Sequence, residues 1–392
     1  MKKTIVYIFF YKFNKKYLDD YQIKFLSRSF NLHVIDFSFF FNKSLDKDKK
    51  YFKNKSINFH IIRKENELLK ILKDLNCNCV AMFGDESSKS YIGNLLRKNI
   101  ELKIIEFILG DTPDEYYSLK DYLKKIIYFN LFNLNFFKDI FTKVILFIKR
   151  KLKNTFFNKV TYIPDLVFCA GKLSQDRMNK IKRVKKIIST HSFDFEKKYN
   201  KKKFFLKKKI IVYYDKMIMH HRDYRRKDIR VPVTKSYFNK LNDFFYYLEN
   251  RYNCKVVIAL HPRCEITSYK RLFNNRECYK NLTYEITKKA IFVLTDPATT
   301  AISFPVILKR PMVFITSNEL NNSLVHFIRL TIRKILFKQP IINIDDSNSY
   351  KTIKNYQYID KSGYRNYFIN YIKNNSHDAS HKRIFVKGIK SL

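Results

Sequence analysis

Six glycines in 392 residues leave little bare backbone for wrapping phosphate. Neither GxGxxG nor GxxxxGK[ST] occurs, which excludes the Gly-rich dinucleotide fingerprint and the P-loop. Any bound phosphate must be held by helix N-termini and side chains. The six cysteines, Cys77, Cys79, Cys169, Cys254, Cys264 and Cys278, form no CxxC pair. Cys77-x-Cys79 has no second pair at zinc-ligand spacing, so neither a zinc knuckle nor a disulfide framework is expected, and the thiols read as reduced. Tryptophan is absent. No uncharged apolar run reaches the roughly 18 residues a transmembrane helix needs. Met1-Lys2-Lys3 before an apolar stretch looks like the start of a signal peptide. It lacks a small-residue cleavage site and is interrupted by Lys12, Lys15 and Lys16, so a first strand is expected instead.

Acidic residues are also few, 35 against 78 Lys and Arg, for a formal charge of +43. Such a surface favours polyanions and anionic lipid headgroups. The lysine excess accompanies abundant Asn, Ile, Phe and Tyr, residues of A/T-rich codons, so part of the charge reflects the genome. Hydrophobic residues at 46% and aromatics at 17% mark a folded chain, long enough for two domains. The aromatics lie in apolar runs more than among basic polar residues, which argues against a specific nucleic-acid partner.

What is present is an alternation of short apolar runs and helical patterns, the signature of parallel α/β sheets. Strands are expected at 4–11, 32–37, 59–62, 79–83, 103–109, 164–171 and 186–191, then at 210–215, 256–260, 291–294, 311–315 and 340–344. A parallel sheet gathers its ligand-binding loops at the carboxyl edge. The run Val256 to Leu260 ends in His261-Pro262-Arg263, and Ile291 to Leu294 ends in Thr295-Asp296-Pro297-Ala298-Thr299-Thr300 ahead of a helix. His261 could donate to a phosphate oxygen with Pro262 aiming its ring, or be a structural histidine. Thr299 and Thr300 offer hydroxyls and N–H groups at a helix start, an anion site, or a simple cap.

In the first half, strand ends deliver Gly84-Asp85-Glu86 and Gly110-Asp111. A carboxylate there could act as a general base, Asp85 before Asp111, or could cap a helix. Asp215, at the end of its strand, and His221, in the polar loop 219–226, are secondary candidates for substrate contact. Asp46-Lys47-Asp48 has DxD spacing but sits in a lysine-rich segment that reads as a solvated loop. Residues 115–153 are crowded with aromatics and end in Lys149-Arg150-Lys151. They fit either membrane-interface helices or a pair of core helices.

The order strand, His-Pro, helix, strand, hydroxyl pair, helix, Lys-Arg-Pro-apolar strand resembles the nucleotide-binding half of bacterial GT-B glycosyltransferases that use CMP-activated sugars. These are the sialyltransferases and their relatives in capsule and lipooligosaccharide synthesis. The resemblance covers about residues 210–315. It implies a GT-B-like fold, two Rossmann-like domains with parallel sheets facing a central cleft. It also implies that His261 contacts the CMP phosphate and assists its departure, that Thr299 and Thr300 bind the same phosphate, and that an acidic residue of the N-terminal domain serves the acceptor. Thr-Thr stands where Ser-Ser or Ser-Thr is commoner, and the Gly-acidic order reverses the family's acidic-Gly pattern.

The expected organisation is an acceptor-side domain at 1–196, a basic linker at 197–209, a nucleotide-sugar domain at 210–375 and a polar tail at 376–392. The expected reaction is metal-independent transfer of a nonulosonate such as sialic acid from a CMP donor to a cell-surface glycan, with no cofactor. Catalysis is assigned to Asp85, Asp111 and His261, and nucleotide or phosphate binding to His261, Pro262, Arg263, Thr299, Thr300, Asp215 and His221. Partners are the CMP-linked donor, a glycan acceptor and an anionic membrane surface, placing the enzyme on the cytoplasmic face of the inner membrane. A polyol-phosphate transferase of the teichoic-acid type and a nucleic-acid-binding protein are the alternatives.

Overall fold

The computed structural model describes residues 2–41, 57–113, 162–180, 184–199, 209–218, 233–262, 264–296, 299–321, 324–339, 341–350, 353, 358–374 and 378–392. The chain forms two compact units, one of Met1–Asp111, Leu152–Tyr199 and Asn370–Leu392, the other of Thr112–Lys151 and Asn200–Ile369. Residues 115–153, most of the basic linker 197–209, and the DxD triplet at 46–48 lie outside the described residues. Among those described, no helix is long and apolar enough to cross a membrane.

The first unit is built on seven strands: β1 (Thr4–Phe9), β2 (Asn31–Asp36), β3 (Asn58–Ile61), β4 (Cys79–Phe83), β5 (Lys103–Ile108), β6 (Leu166–Ala170) and β7 (Lys186–Thr190). They pair in parallel in the order β3-β2-β1-β4-β5-β6-β7. A parallel sheet needs cover on both faces, which is why β1 is an unbroken hydrophobic run from Ile5 to Phe9 rather than apolar at alternate positions. Ile5, Tyr7 and Phe9 enter one core, and Val6, Ile8 and Phe10 enter the core on the opposite face.

The first of these cores is crossed by a row of rings. Phe9 of β1 stacks on Phe83 of β4 at 4.5 Å between centroids, Phe83 on Phe107 of β5 at 5.6 Å, and Phe107 on Phe168 of β6 at 5.0 Å. Phe385 closes the row at 4.9 Å from Phe168. Phe385 belongs to the helix His381–Lys390, within the stretch expected to be a polar tail. That expectation is corrected: the segment is basic on one side only, and Phe385 and Ile389, one turn apart, are fully buried on the first sheet. Gly388 permits the approach, since a Cβ there would meet Ile188 Cδ1 at 2.6 Å and the Phe168 ring at 2.7 Å.

The second unit holds β8 (Ile210–Tyr214), β9 (Lys255–Leu260), β10 (Cys278–Lys280), β11 (Ala290–Thr295), β12 (Met312–Thr316) and β13 (Ile341–Asn343). These are also parallel, in the order β10-β9-β8-β11-β12-β13. Relabelled within each unit, the second sheet runs 3-2-1-4-5-6 and the first runs 3-2-1-4-5-6-7, the doubly wound Rossmann arrangement. The helix Lys235–Tyr252 covers one face through Tyr237, Phe238, Leu241, Phe244, Phe245 and Leu248, spaced three and four apart. It stops where Asn253 turns left-handed at φ 46°.

Truncating Phe385 to Ala removes the last ring of the row and is expected to cost about 3–5 kcal/mol. Urea unfolding of the first unit checks this; a loss under about 1 kcal/mol would show that the helix is not needed to cover the sheet.

Candidate functional site

In a 3-2-1-4-5-6 sheet the strand order reverses beside the first strand, and the loops leaving the carboxyl ends there diverge to open a crevice. In the second unit the reversal falls between β8 and β11. The loop after β8 begins Asp215-Lys216, and the one after β11 begins Asp296 and leads to Thr299-Thr300. The loop after β9, next to β8, begins with His261. Topology therefore brings His261, Asp215, Thr299 and Thr300 to one edge of one sheet. Arg263 and His221 lie outside the described residues.

Asp215 organises these loops. Its Oδ1 accepts the Met217 N–H at 3.1 Å and its Oδ2 the Cys264 thiol at 3.4 Å. The Asp215 N–H donates to Ala259 O at 3.1 Å, and the Cys264 N–H donates to His261 O at 2.9 Å. The loop after β8 is thus tied to the loop that carries His261. Burial pushes the Asp215 carboxyl up to about 6, against the opposing pull of the N–H groups of Met217 and His261 and of the Cys264 thiol. This carboxylate spends its oxygens on protein donors, and it shapes the platform on which His261 sits. His261 itself is partly exposed and Pro262 exposed.

A second cluster, absent from the sequence expectations, spans the reversal point. Lys216 Nζ lies 2.8 Å from Asp296 Oδ2, and His326 Nδ1, from the helix Leu324–Phe337, lies 3.3 Å from the same oxygen. His326 Nε2 meets Thr316 Oγ1, at the end of β12, at 3.0 Å, and Thr316 contacts Asn321 at 2.6 Å. Asp296 is 1% exposed and His326 4%. Burial alone would raise the Asp296 carboxyl, but Lys216 and then His326 hold it well below the usual carboxylate range. Burial lowers His326 despite the Asp296 charge beside it. The loops of β8, β11 and β12 are thereby locked together.

The threonine pair follows directly. The Thr299 N–H approaches Asp296 O at 3.5 Å, and Thr299 Oγ1 accepts the Ala301 N–H at 3.2 Å, capping the turn Thr300–Ile302 that runs into the helix Ser303–Leu308. Thr300 is exposed and Thr299 partly so. From His261 through Cys264, Asp215, Lys216 and Asp296 to Thr299, one continuous string of contacts fixes the edge.

The acidic turns of the first unit sit at the carboxyl ends of adjacent strands, β4 and β5. Asp85 caps the helix Glu86–Asn99, its Oδ1 accepting the Ser88 N–H at 3.0 Å and its Oδ2 the Ser88 hydroxyl at 3.1 Å. Asp111 Oδ2 pairs with Arg177 at 3.1 Å.

No family model matches the chain, and no curated protein does. Among solved structures it is similar to an S. aureus MnaA–UDP co-structure, with 13% identity over 99% of this chain and 96% of that one and a TM-score of 0.47. It is similar also to Arabidopsis thaliana UGT89C1 complexed with UDP, 11% identical over 100% and 99% of the two chains, TM-score 0.49. Acinetobacter baumannii MurG is 7% identical over 99% of each chain, TM-score 0.45. At such identities activity does not follow from likeness.

Two outcomes are expected. Lys216→Met leaves Asp296 buried without its lysine and should destabilise the second unit by about 3 kcal/mol, while adding Asp296→Leu should recover most of that loss; chemical denaturation of the wild type, the double variant and both single variants gives the coupling. Because the folded Asp215 binds its proton more tightly than the unfolded one, its contribution is present below about pH 4 and is lost as pH rises through about 6. Asp215→Asn should flatten that part of the stability–pH curve, and an unchanged slope would refute the assignment.

Proposed function

We propose that the protein is a glycosyltransferase that uses a nucleotide-sugar donor, with the donor phosphate held at the carboxyl edge of the second sheet. The observation that carries this reading is the placement of His261 and the Thr299-Thr300 turn on loops beside the same strand-order reversal, where doubly wound sheets take nucleotides. His261 donates to the phosphate as the glycosidic bond breaks, and Thr299 and Thr300 add a hydroxyl and backbone N–H groups to the same charge. Lys216 supplies positive potential beneath that edge while remaining paired with Asp296.

The donor proposed is a CMP-linked nonulosonate, on the strength of the His-Pro and hydroxyl-pair motifs. The acceptor is a glycan of the cell surface, met on the cytoplasmic face of the inner membrane, where the chain's positive charge attracts anionic lipid. On the first unit, Asp85 or Asp111 is the carboxylate proposed to take the acceptor's proton.

Purified protein should release CMP from CMP-N-acetylneuraminate when a lipooligosaccharide acceptor is supplied, and His261→Ala should lower turnover by about 10²-fold or more at unchanged melting temperature. Near-normal turnover in that variant would end the assignment of His261. Release of UDP from UDP-sugars with none of CMP would overturn the donor class. Asp85→Ser keeps a capping hydroxyl but removes the base, so full activity in that variant would transfer the role to Asp111.

A further inference from the structure

Away from these strand ends, the first unit buries three metal-ligating side chains against one another. His191 follows β7, Glu196 ends the short helix Phe193–Glu196, and His381 opens the helix His381–Lys390. They are 1%, 4% and 0% exposed. One ligating atom from each lies within 4.8 Å of the others. His191 Nε2 is 2.8 Å from Glu196 Oε2, and His381 Nδ1 is 3.8 Å from the same oxygen.

The hydrogen bonding fixes what each atom can offer. His381 Nε2 lies 2.8 Å from the backbone carbonyl of His191. A carbonyl only accepts, so Nε2 carries the proton and Nδ1 of the neutral ring presents a bare lone pair toward Glu196. Among the described residues His381 Nδ1 and Glu196 Oε1 have no hydrogen-bond partner, though both atoms are buried. Glu196 Oε2 takes His191 Nε2 and the His381 N–H at 2.9 Å, which leaves Oε1 and His381 Nδ1 as two buried acceptors of one cluster without a donor, in a place where each should be satisfied. A histidine whose other ring nitrogen donates to a backbone carbonyl is also the usual arrangement of a metal ligand.

We propose that His191, Glu196 and His381 form a binding site for one divalent cation of the zinc type, which fastens the helix His381–Lys390 to the end of β7. Two imidazoles and a carboxylate suit zinc at about 2.0–2.2 Å, with water in the fourth position. The two rings, now stacked at 4.1 Å with 8° between planes, turn their edges toward Glu196 on binding. The His191 proton moves from Nε2 to Nδ1, which frees Nε2 to ligate. Lys373, over the Phe195 ring at 5.2 Å, is paired with Asp378 at 3.8 Å.

The test is a titration of chelator-treated, full-length protein with Zn²⁺, and in parallel with Co²⁺ read by visible absorption. The expected result is one equivalent bound, tetrahedral Co²⁺ bands, and a melting temperature that rises with Zn²⁺. The near-isosteric Glu196→Gln and His381→Ala should each weaken binding at least tenfold. His33→Ala serves as control, because in the His33–His60 pair on β2 and β3, 3.0 Å apart, imidazoles also meet but with no carboxylate contact among the described residues. Wild-type affinity in Glu196→Gln, loss of binding in His33→Ala, or no saturable binding by the native chain would each overturn the proposal. Should His381→Ala fail to fold, Glu196→Gln and the Co²⁺ spectrum still decide it.

Discussion

Parallel pairing covers both faces of the central strands, so the buried carboxylates of these sheets sit where a strand starts or stops, while His33 inside β2 and Glu106 inside β5 are met by His60 and Lys89. Asp36 ends β2 and accepts the Phe13 N–H at 2.9 Å and the Ser38 N–H at 3.0 Å. Asp215 does the same service after β8, and Asp296 anchors the turn after β11. Asp36 and Asp215 are carboxylates placed where the backbone has just left its ladder and its N–H groups need acceptors, whereas the Asp296 carboxylate takes Lys216 and His326. Polar chemistry is therefore concentrated at the carboxyl edges by a packing rule, before any selection for activity. The proposed function draws on that concentration.

Much of this could be read in the sequence because fully buried strands leave continuous apolar runs. Those runs marked β1, β8, β9 and β11 and placed His261 and the threonine pair at strand ends. β10, only Cys278–Lys280, carries too few apolar residues to stand out. The helix holding Phe385 was lost among basic residues because only one side of it is apolar. Lys216 and His326 escaped for a different reason: their value lies in touching Asp296, and that depends on β8 and β11 being neighbours, which periodicity does not report. The cluster of His191, Glu196 and His381 is hidden in the same way, since His381 lies far along the chain from the other two.

The shortage of glycine is met by other residues at left-handed turns. Asn76, Asn253, Asn274, Asn275 and Asn281 all have positive φ, as do Gln22, Met217, Lys309 and Lys338. Asparagine tolerates this region because its amide can bond locally, whereas the other four pay a steric cost of about 1–2 kcal/mol each. Met217 is instructive, since its N–H is the one held by Asp215. Five of the six glycines sit at a close approach, and at Gly171, at φ 75°, a Cβ would come within 2.3 Å of Asn370 O.

The row of rings from Phe9 to Phe385 also bears on how the protein is made. A chain synthesised from its N-terminus presents Phe83, Phe107 and Phe168 long before Phe385 exists, and nearly the whole second unit is translated in between. During that interval one apolar face of the first sheet lacks part of its cover and is open to mispairing or to a chaperone. The first unit is first to emerge, yet it is the later of the two to have all its parts.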